Sequence, residues 1–432
     1  MNAASSRFAR AAYSLLLRIA WPLYLLRVLW RGRSEPLYAA AIGERFGFYR
    51  QAARQGALWV HAVSLGETRA AAPLIEALRQ ALPDRRVLLT HGTATGRAAG
   101  LPLLRDGDAQ AWLPFDTPGA VRRFFDHFAP VAGVLMETEI WPNLLAVAAE
   151  RDLPMLLANA RMSERSRRRG RRVEVLLRPA FASLVATFAQ AEGDAARLRD
   201  AGACNVTVSG NLKFDLTPAA ALIAQGRRWK AVAAGRAVVL AAITREGEEA
   251  LLLSAWRALA APRPLLVVVP RHPQRFAAVG ELIESSGFAL ARRSGWGDAP
   301  PESAAAADVW LGDSMLEMPA YYALADVALL GGSFAPLGGQ NLIEAAACGC
   351  PIVMGPHTFN FADAAQLALA AGAAVRVRDM NEGVAMANAI IGSDEQQRRS
   401  QSALAFAAAH RGAAGRIATQ IAALLAVRSG RA

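Results

Sequence analysis

From about residue 57 the chain alternates short, β-branched apolar runs with longer segments of helical period, and this alternation limits the fold more than any other feature. The candidate strands of a first half are ALWVHAV, RRVLLTHG, VAGVLM, LPMLLAN, LVATFAQ and NVTVSG, with helical patterns between them, as around 67–81 and 141–151. Continuously apolar strands are covered on both faces, and helical connections between them make the sheet parallel. After GNLKFDLTP the pattern restarts: RAVVLAAITREGEEALLLSAW is followed by PLLVVVPRHP, DVALLGGSF and CPIVMG. The expected fold class is α/β, with two Rossmann-like, doubly wound parallel-sheet domains. A length of 432 residues agrees with two domains of roughly 200 residues each. The stretch LTPAAALIAQGRRWKAVAAG breaks the alternation. The expected division is therefore an N-terminal segment 1–34, a first domain 35–215, a linker 216–230 and a second domain 231–432. Ligands bind beyond the carboxyl ends of strands in such sheets, so strand-end residues of both halves are expected to line one cleft.

A 53% hydrophobic, 19% charged composition argues against long disorder. The net charge of +12 suggests an anionic partner: nucleic acid, an acidic membrane surface or a phosphorylated substrate. Of the 48 basic residues only Lys213 and Lys230 are lysine, which raises the question of what arginine cannot do there. Three cysteines, Cys204, Cys348 and Cys350, do not make a disulfide framework, and Cys348-Gly-Cys350 reads as small packing residues in a turn. Residues 11–30, AAYSLLLRIAWPLYLLRVLW, are long enough to reach across a bilayer, but Arg18 and Arg27 interrupt them. Aromatic residues and flanking arginines fit a membrane-anchoring helix, either spanning the bilayer or lying in its interface.

WVHAVSLGETRAAAPLIEAL, residues 59–78, turns from strand to helix with Glu67 three residues after Ser64. That spacing is a capping box, so Glu67 is either a structural cap or a carboxylate presented for chemistry, and this stretch leaves both open. VLMETEIWPNLL places Glu137 and Glu139 just past an apolar strand, as caps, as solvent-facing charge or as site residues. Lys213, in GNLKFD at the domain junction, is within reach of the cleft. In the second half DVALLGGSFAPLGGQNLIEAAACGCPIVMG runs from a buried strand through two Gly-Gly pairs into a helix opening near Asn341. Such a turn suits a phosphate or nucleotide, with Glu344 in reach of a sugar hydroxyl. Pro270 and Pro273 stiffen the turn that aims Arg271, whose fork suits a phosphate or carboxylate. Met315, Leu316 and Glu317 begin another helix, and spacing assigns them no role. The basic run RSRRRGRR, 165–172, reads as a solvated face that also suits lipid phosphates. Asp106-Gly107-Asp108 reads as a polar turn. The chain carries neither GxGxxG nor a Walker A loop, which weakens dehydrogenase and NTPase readings.

Taken in order, GERFGFYR, HAVSLGET, METEIWPNLL, NARMSERS, GNLKFD, REGEE, PRHPQRF, GGSFAPLGGQNLIEAA and MGPHTFNF make the chain resemble, over essentially its whole length, the bacterial 3-deoxy-D-manno-oct-2-ulosonic acid (Kdo) transferases of lipopolysaccharide assembly. The resemblance implies a GT-B fold with the acceptor on the first domain and CMP-Kdo, a donor substrate, on the second. It implies metal-independent, inverting transfer of Kdo to a lipid A precursor (lipid IVA) at the cytoplasmic face of the inner membrane, with no cofactor and no nucleic acid. By position, Glu67 matches the family's proton acceptor, and Glu137 and Lys213 its transition-state stabilisers. Pro270 and Arg271, Met315, Leu316 and Glu317, and Asn341, Leu342, Ile343 and Glu344 match its CMP-contacting segments. Four positions depart from the family pattern: Arg245 and Gln340 stand for histidines, Leu342 for proline and Leu316 for glycine. The fold and glycine-rich turn alone also suit another GT-B nucleotide-sugar transferase, or a non-catalytic two-lobed binding protein.

Overall fold

A computed structural model describes residues 3–52, 55–233 and 235–429. It divides into one unit of residues 1–216 plus 411–432 and a second of 217–410. The first unit holds β1 (Leu58–His61), β2 (Val87–His91), β3 (Ala109–Trp112), β4 (Ala132–Met136), β5 (Met155–Ala160), β6 (Ala186–Ala189) and β7 (Val206–Val208). They form one seven-stranded parallel sheet in the order β3-β2-β1-β4-β5-β6-β7. Both faces are covered, as the apolar runs require. Leu58, Val60 and Val134 point into one core, while Trp59 and Leu135 point into the other. The chain turns outward in opposite directions from β1 and β4. Their carboxyl ends therefore flank the topological switch point, where a crevice opens.

The second unit holds β8 (Val238–Thr244), β9 (Leu265–Pro270), β10 (Leu290–Arg292), β11 (Val309–Leu311), β12 (Val327–Leu330), β13 (Ile352–Met354) and β14 (Ala374–Arg376). Its parallel order is β10-β11-β9-β8-β12-β13-β14, with the switch point between β8 and β12. The expected fold class thus stands, as two parallel seven-stranded sheets clothed by helices.

The domain boundaries differ from the sequence expectation in two places. Residues expected as a linker, 216–230, fall largely in the helix Ala220–Val232, which belongs to the second unit and buries Trp229 completely. The helix Ala413–Ser429, expected in the second domain, returns to the first. Its stripe of Ala413, Ala414, Ile417, Ala418 and Ile421 joins Leu74, Ile75 and Leu78 in one core cluster. Each large aliphatic side chain buried this way is worth about 1.5–3 kcal/mol. Asp215 caps the returning helix by accepting from the backbone N–H groups of Gly412 and Ala414.

The N-terminal helix Ala3–Arg31 is long and apolar enough to cross a bilayer by length and composition. It is nevertheless docked along the first unit. Tyr13 donates to Asp116 Oδ2 at 3.0 Å, Trp21 and Tyr24 meet Phe46 and Phe115 edge-on, and Val28 is buried. The opposite face leaves Phe8, Leu15, Ile19, Leu23, Leu26 and Trp30 exposed at helical spacing.

Candidate active site

At the first switch point the helix Leu65–Ala81 starts with Ser64 as its N-cap, as the spacing predicts. Ser64 Oγ accepts from the Glu67 N–H at 3.4 Å and donates to Glu67 Oε1 at 2.9 Å. Glu67 Oε2 reaches one residue further back than an ordinary capping box, accepting from the Val63 N–H at 2.9 Å. The carboxylate is thus fixed at both oxygens. Burial nonetheless raises its pKa above the ordinary glutamate value, and the Glu137 charge pushes the same way, against the Val63 and Ser64 hydrogen bonds and Lys213.

Glu137 leaves the end of β4 with φ +56°, a left-handed conformation that is costly for a residue with a side chain. Its Oε1 stands 3.1 Å from Lys213 Nζ, and its Oε2 3.3 Å from Arg161 Nε. Lys213 is held by its own segment: its N–H donates to Asn211 Oδ1 at 3.0 Å, and the neighbouring Leu212 N–H to the buried Asn159 Oδ1 at 3.0 Å. The only other lysine, Lys230, pairs with Asp326 in the second unit. Glu139 does not face solvent. Its side chain is 18% exposed and accepts from Trp141 Nε1 at 2.9 Å. Burial and the Glu67 charge push its pKa up to about 7. His61 Nε2 lies 3.9 Å from Glu139, but burial lowers the imidazole to about 3, so this neutral ring makes no ion pair. Three carboxylates and two cations therefore gather at the ends of β1, β4 and β5 and at the segment after β7. Beside Glu137 opens a cavity of about 390 Å³ with Ile140, Met162, Leu177 and Phe181 on its apolar side and Arg161 and Arg178 on its basic side.

In the second unit the ends of the neighbouring strands β11, β9, β8 and β12 carry the remaining candidates. Pro270 is buried at the end of β9, and Arg271 follows, exposed, its N–H donating to Thr244 O at 3.0 Å. Arg245, where the family pattern has histidine, follows β8. After burial, the charges of Arg245 and Arg271 are what lower the His272 pKa, which marks a positive potential at this strand end.

The first Gly-Gly pair does not behave as the sequence suggests. The Gly331 N–H donates to Ala242 O at 2.8 Å, and the completely buried Glu248 takes the Gly332 amide and its neighbours: Oε2 accepts from the N–H groups of Gly332 at 2.7 Å and Arg245 at 2.9 Å, and Oε1 from Phe334 at 3.1 Å and Ala335 at 3.3 Å. Those donors already serve a protein carboxylate, so they are not a phosphate cradle. Gly331 is required by close approach, since a Cβ there would lie 2.3 Å from Ile243 O. Glu249 accepts a bidentate pair from Arg275, at 2.8 and 2.9 Å, and ties the Pro273 turn to β8. Glu248, Glu249, Arg275 and Arg161 were not singled out from sequence. The glutamate doublet in a first helical turn was the one signal, and a helix-dipole role accounts equally for it.

Asn341 caps the six-residue helix Leu342–Ala347, accepting from the Ile343 N–H at 3.2 Å. Leu342 and Ile343 are buried, and the Ile343 N–H is taken by the cap, so neither residue is open to a ligand in this structure. Glu344 is half-buried. Glu317 is engaged by Arg293, with Nη2 2.8 Å from Oε1 and Nε 3.1 Å from Oε2. Met315 and Leu316 are exposed, and Leu316 has φ +69°, the conformation in which the family's glycine is at ease. Leu316→Gly is expected to raise stability by about 1 kcal/mol, measured by urea unfolding, because left-handed backbone costs a leucine about that much. A lower unfolding midpoint would mean the leucine side chain contributes more than its backbone costs. Asp106-Gly107-Asp108 is a turn, with Asp108 accepting from the Val87 and Arg105 N–H groups. The three cysteines are free, and burial pushes the Cys348 thiol up to about 12. Among the described residues no three His, Cys, Asp or Glu groups are placed to hold a metal ion together.

Comparison with known proteins agrees with this layout. A family model described as 3-deoxy-D-manno-octulosonic-acid transferase (kdotransferase) matches residues 40–216. The 3-deoxy-D-manno-octulosonic acid transferase of Bordetella pertussis is 48% identical over 425 residues, covering 94% of this chain and 97% of the relative. That of Haemophilus influenzae is 33% identical over 402 residues, covering 90% and 92%. Among solved structures, Anabaena HepE in complex with UDP superposes with a TM-score of 0.57 at 15% identity, over 86% of this chain and 100% of that one. Staphylococcus aureus MnaA with UDP gives 0.56 at 13% identity, over 85% and 96%. These two carry the fold alone, that of GT-B enzymes. With relatives this similar along nearly their whole length, the chain belongs to the 3-deoxy-D-manno-octulosonic acid transferase family and is a glycosyltransferase of lipopolysaccharide biosynthesis.

Proposed function

We propose that this enzyme moves Kdo from CMP-Kdo to a hydroxyl of a lipid A precursor (lipid IVA), with inversion and without a metal ion. The observation that carries the reading is the Glu67 carboxylate, fixed by Val63 and Ser64 yet raised in proton affinity by burial, beside the Glu137–Lys213 pair. The acceptor oxygen bonds to the anomeric carbon of Kdo while that carbon's bond to the CMP phosphate breaks. The bonding electrons leave with CMP, and the hydroxyl proton passes to Glu67. Lys213, a compact cation steadied by Glu137, offsets negative charge as it develops. Arg271 and Arg245 supply the positive potential that suits the departing phosphate, and Asn341 and the half-buried Glu344 at the start of the helix Leu342–Ala347 support the nucleotide. The cavity beside Glu137, apolar on one side and basic on the other, suits an acceptor that carries both acyl chains and phosphates.

The same reading places the enzyme at the cytoplasmic face of the inner membrane. The N-terminal helix is docked on the protein along one face and exposes an apolar stripe on the other, which favours lying in the interface over spanning the bilayer. Incubation with labelled CMP-Kdo and a tetra-acylated precursor is expected to move the label into the lipid and release CMP in equal amount, unchanged by EDTA. Loss of transfer in EDTA, restored by magnesium, would remove the metal-independent step. CMP release without labelled lipid would point to another acceptor, and no CMP release at saturating donor would overturn the reading.

A further inference from the structure

Between the N-terminal helix and the body of the first unit lies a cavity of about 300 Å³ with an unusual charge balance. Arg7, Arg10 and Arg18 from that helix and Arg122 from the helix Pro118–Phe128 line it, and Glu150 is its one acidic lining residue. Arg10 and Arg122 each stand 3.5 Å from a different oxygen of Glu150. Neither Arg7 nor Arg18 has an ion-pair partner among the described residues. Four guanidiniums around one half-exposed carboxylate repel one another, and an added anion relieves that repulsion. The wall is rigid. Ser14 Oγ lies 3.1 Å from Asn143 Oδ1, and Asn143 Nδ2 donates to Asp116 O at 2.6 Å, so the helix carrying three of the arginines is pinned beside the cavity.

A second cavity, of about 440 Å³, shares Arg7, Arg10 and Glu150 and is otherwise walled mainly by apolar residues, among them Pro142, Ala146, Leu176 and Pro179. A basic pocket joined to an apolar groove, beneath a helix whose outer face is apolar, matches a phospholipid better than a free phosphate. We propose that the arginine cavity binds the phosphate headgroup of an anionic membrane phospholipid, with part of an acyl chain along the adjoining groove. This rests on the interfacial placement of the helix and adds to it a defined headgroup site. Arginine forks pair with phosphate oxygens two at a time, which fixes both the head and the depth of the helix.

The test is co-sedimentation of the full chain with phosphatidylcholine vesicles, with and without 30% phosphatidylglycerol, at physiological salt. Each arginine at an anionic surface is worth about fivefold in affinity, so Arg18→Ala/Arg122→Ala is expected to bind the anionic vesicles about 25-fold more weakly. Its binding to pure phosphatidylcholine and its transfer to a detergent-dispersed acceptor stay at wild-type level, which also reports that it folds. A charge-matched control outside the cavity, Arg85→Ala/Arg86→Ala, is expected to lose less than about threefold through screened charge alone. Equal losses in the two double variants would overturn the site, because the charge would then act diffusely. So would erasure of the wild-type preference by millimolar inorganic phosphate, which would identify a free-anion site. Binding of the wild type to neither vesicle would overturn the interfacial helix together with this inference, while the detergent assay reports on transfer separately.

Discussion

Replacing Glu67 by glutamine is expected to lower kcat about 10²–10⁴-fold while leaving the fold almost untouched. The two consequences separate because the substitution keeps the shape and removes the charge. A glutamine carbonyl still accepts from the Val63 N–H, and its NH2 donates to Ser64 Oγ, whose own proton rotates away. The helix start therefore survives, with a stability change below about 1 kcal/mol in urea unfolding. What is lost is the place for the acceptor's proton. Near-normal transfer with a clear loss of stability would leave Glu67 as a cap only. The pH profile gives a second readout. The base works ionised, so kcat of the wild type rises with pH through a pKa above the ordinary glutamate value, the direction set by burial and Glu137. Glu139, at about 7, titrates beside it, raised by burial and by the Glu67 charge. In stability the sign runs the other way. Glu139 holds its proton more tightly folded than unfolded, so its contribution is full below the ordinary glutamate pKa and is lost as pH rises through about 7.

Glu248→Ala is expected to produce the largest structural effect, a loss of about 3–5 kcal/mol in unfolding free energy. Four backbone N–H groups converge on this buried carboxylate, and alanine leaves them without an acceptor. The turn 331–340 should loosen before the rest of the unit unfolds, so CMP-Kdo affinity falls at least about tenfold even where the variant remains folded. Calorimetric titration with CMP and urea unfolding check the two parts. An unchanged affinity would mean that the turn does not bear on the donor at all.

Much of the fold was legible because strands covered on both faces are apolar along most of their length, and β1, β2, β4, β8, β9 and β12 are. The missed strands lack that signature or are too short to show it. β3 is the edge strand AQAW without a β-branched residue, β10 and β14 each include an arginine, and β11 has only three residues. A C-terminal amphipathic helix announces that one face will be buried but not which sheet it covers, so the return of Ala413–Ser429 to the first unit was not readable. Spacing marked Glu67 as a cap and Glu137 as a strand-end acid. Their grouping with Lys213 depends on the winding of β4 to β7, and only the family resemblance reached it beforehand. Glu248 stayed hidden for a related reason: a first-turn glutamate reads as dipole chemistry until the loop it organises is placed.

The returning helix also sets an order of events during synthesis. Residues 217–410 form a continuous unit, whereas the first unit lacks Ile417 and Ile421 from its core until the whole of the second has been made. At about 5–20 residues per second the second unit is made in roughly ten to forty seconds, during which Leu74 and Leu78 wait uncovered. The half of the polypeptide made first is thus the half completed last, and a chain cut short at residue 410 would leave that apolar surface permanently open to aggregation.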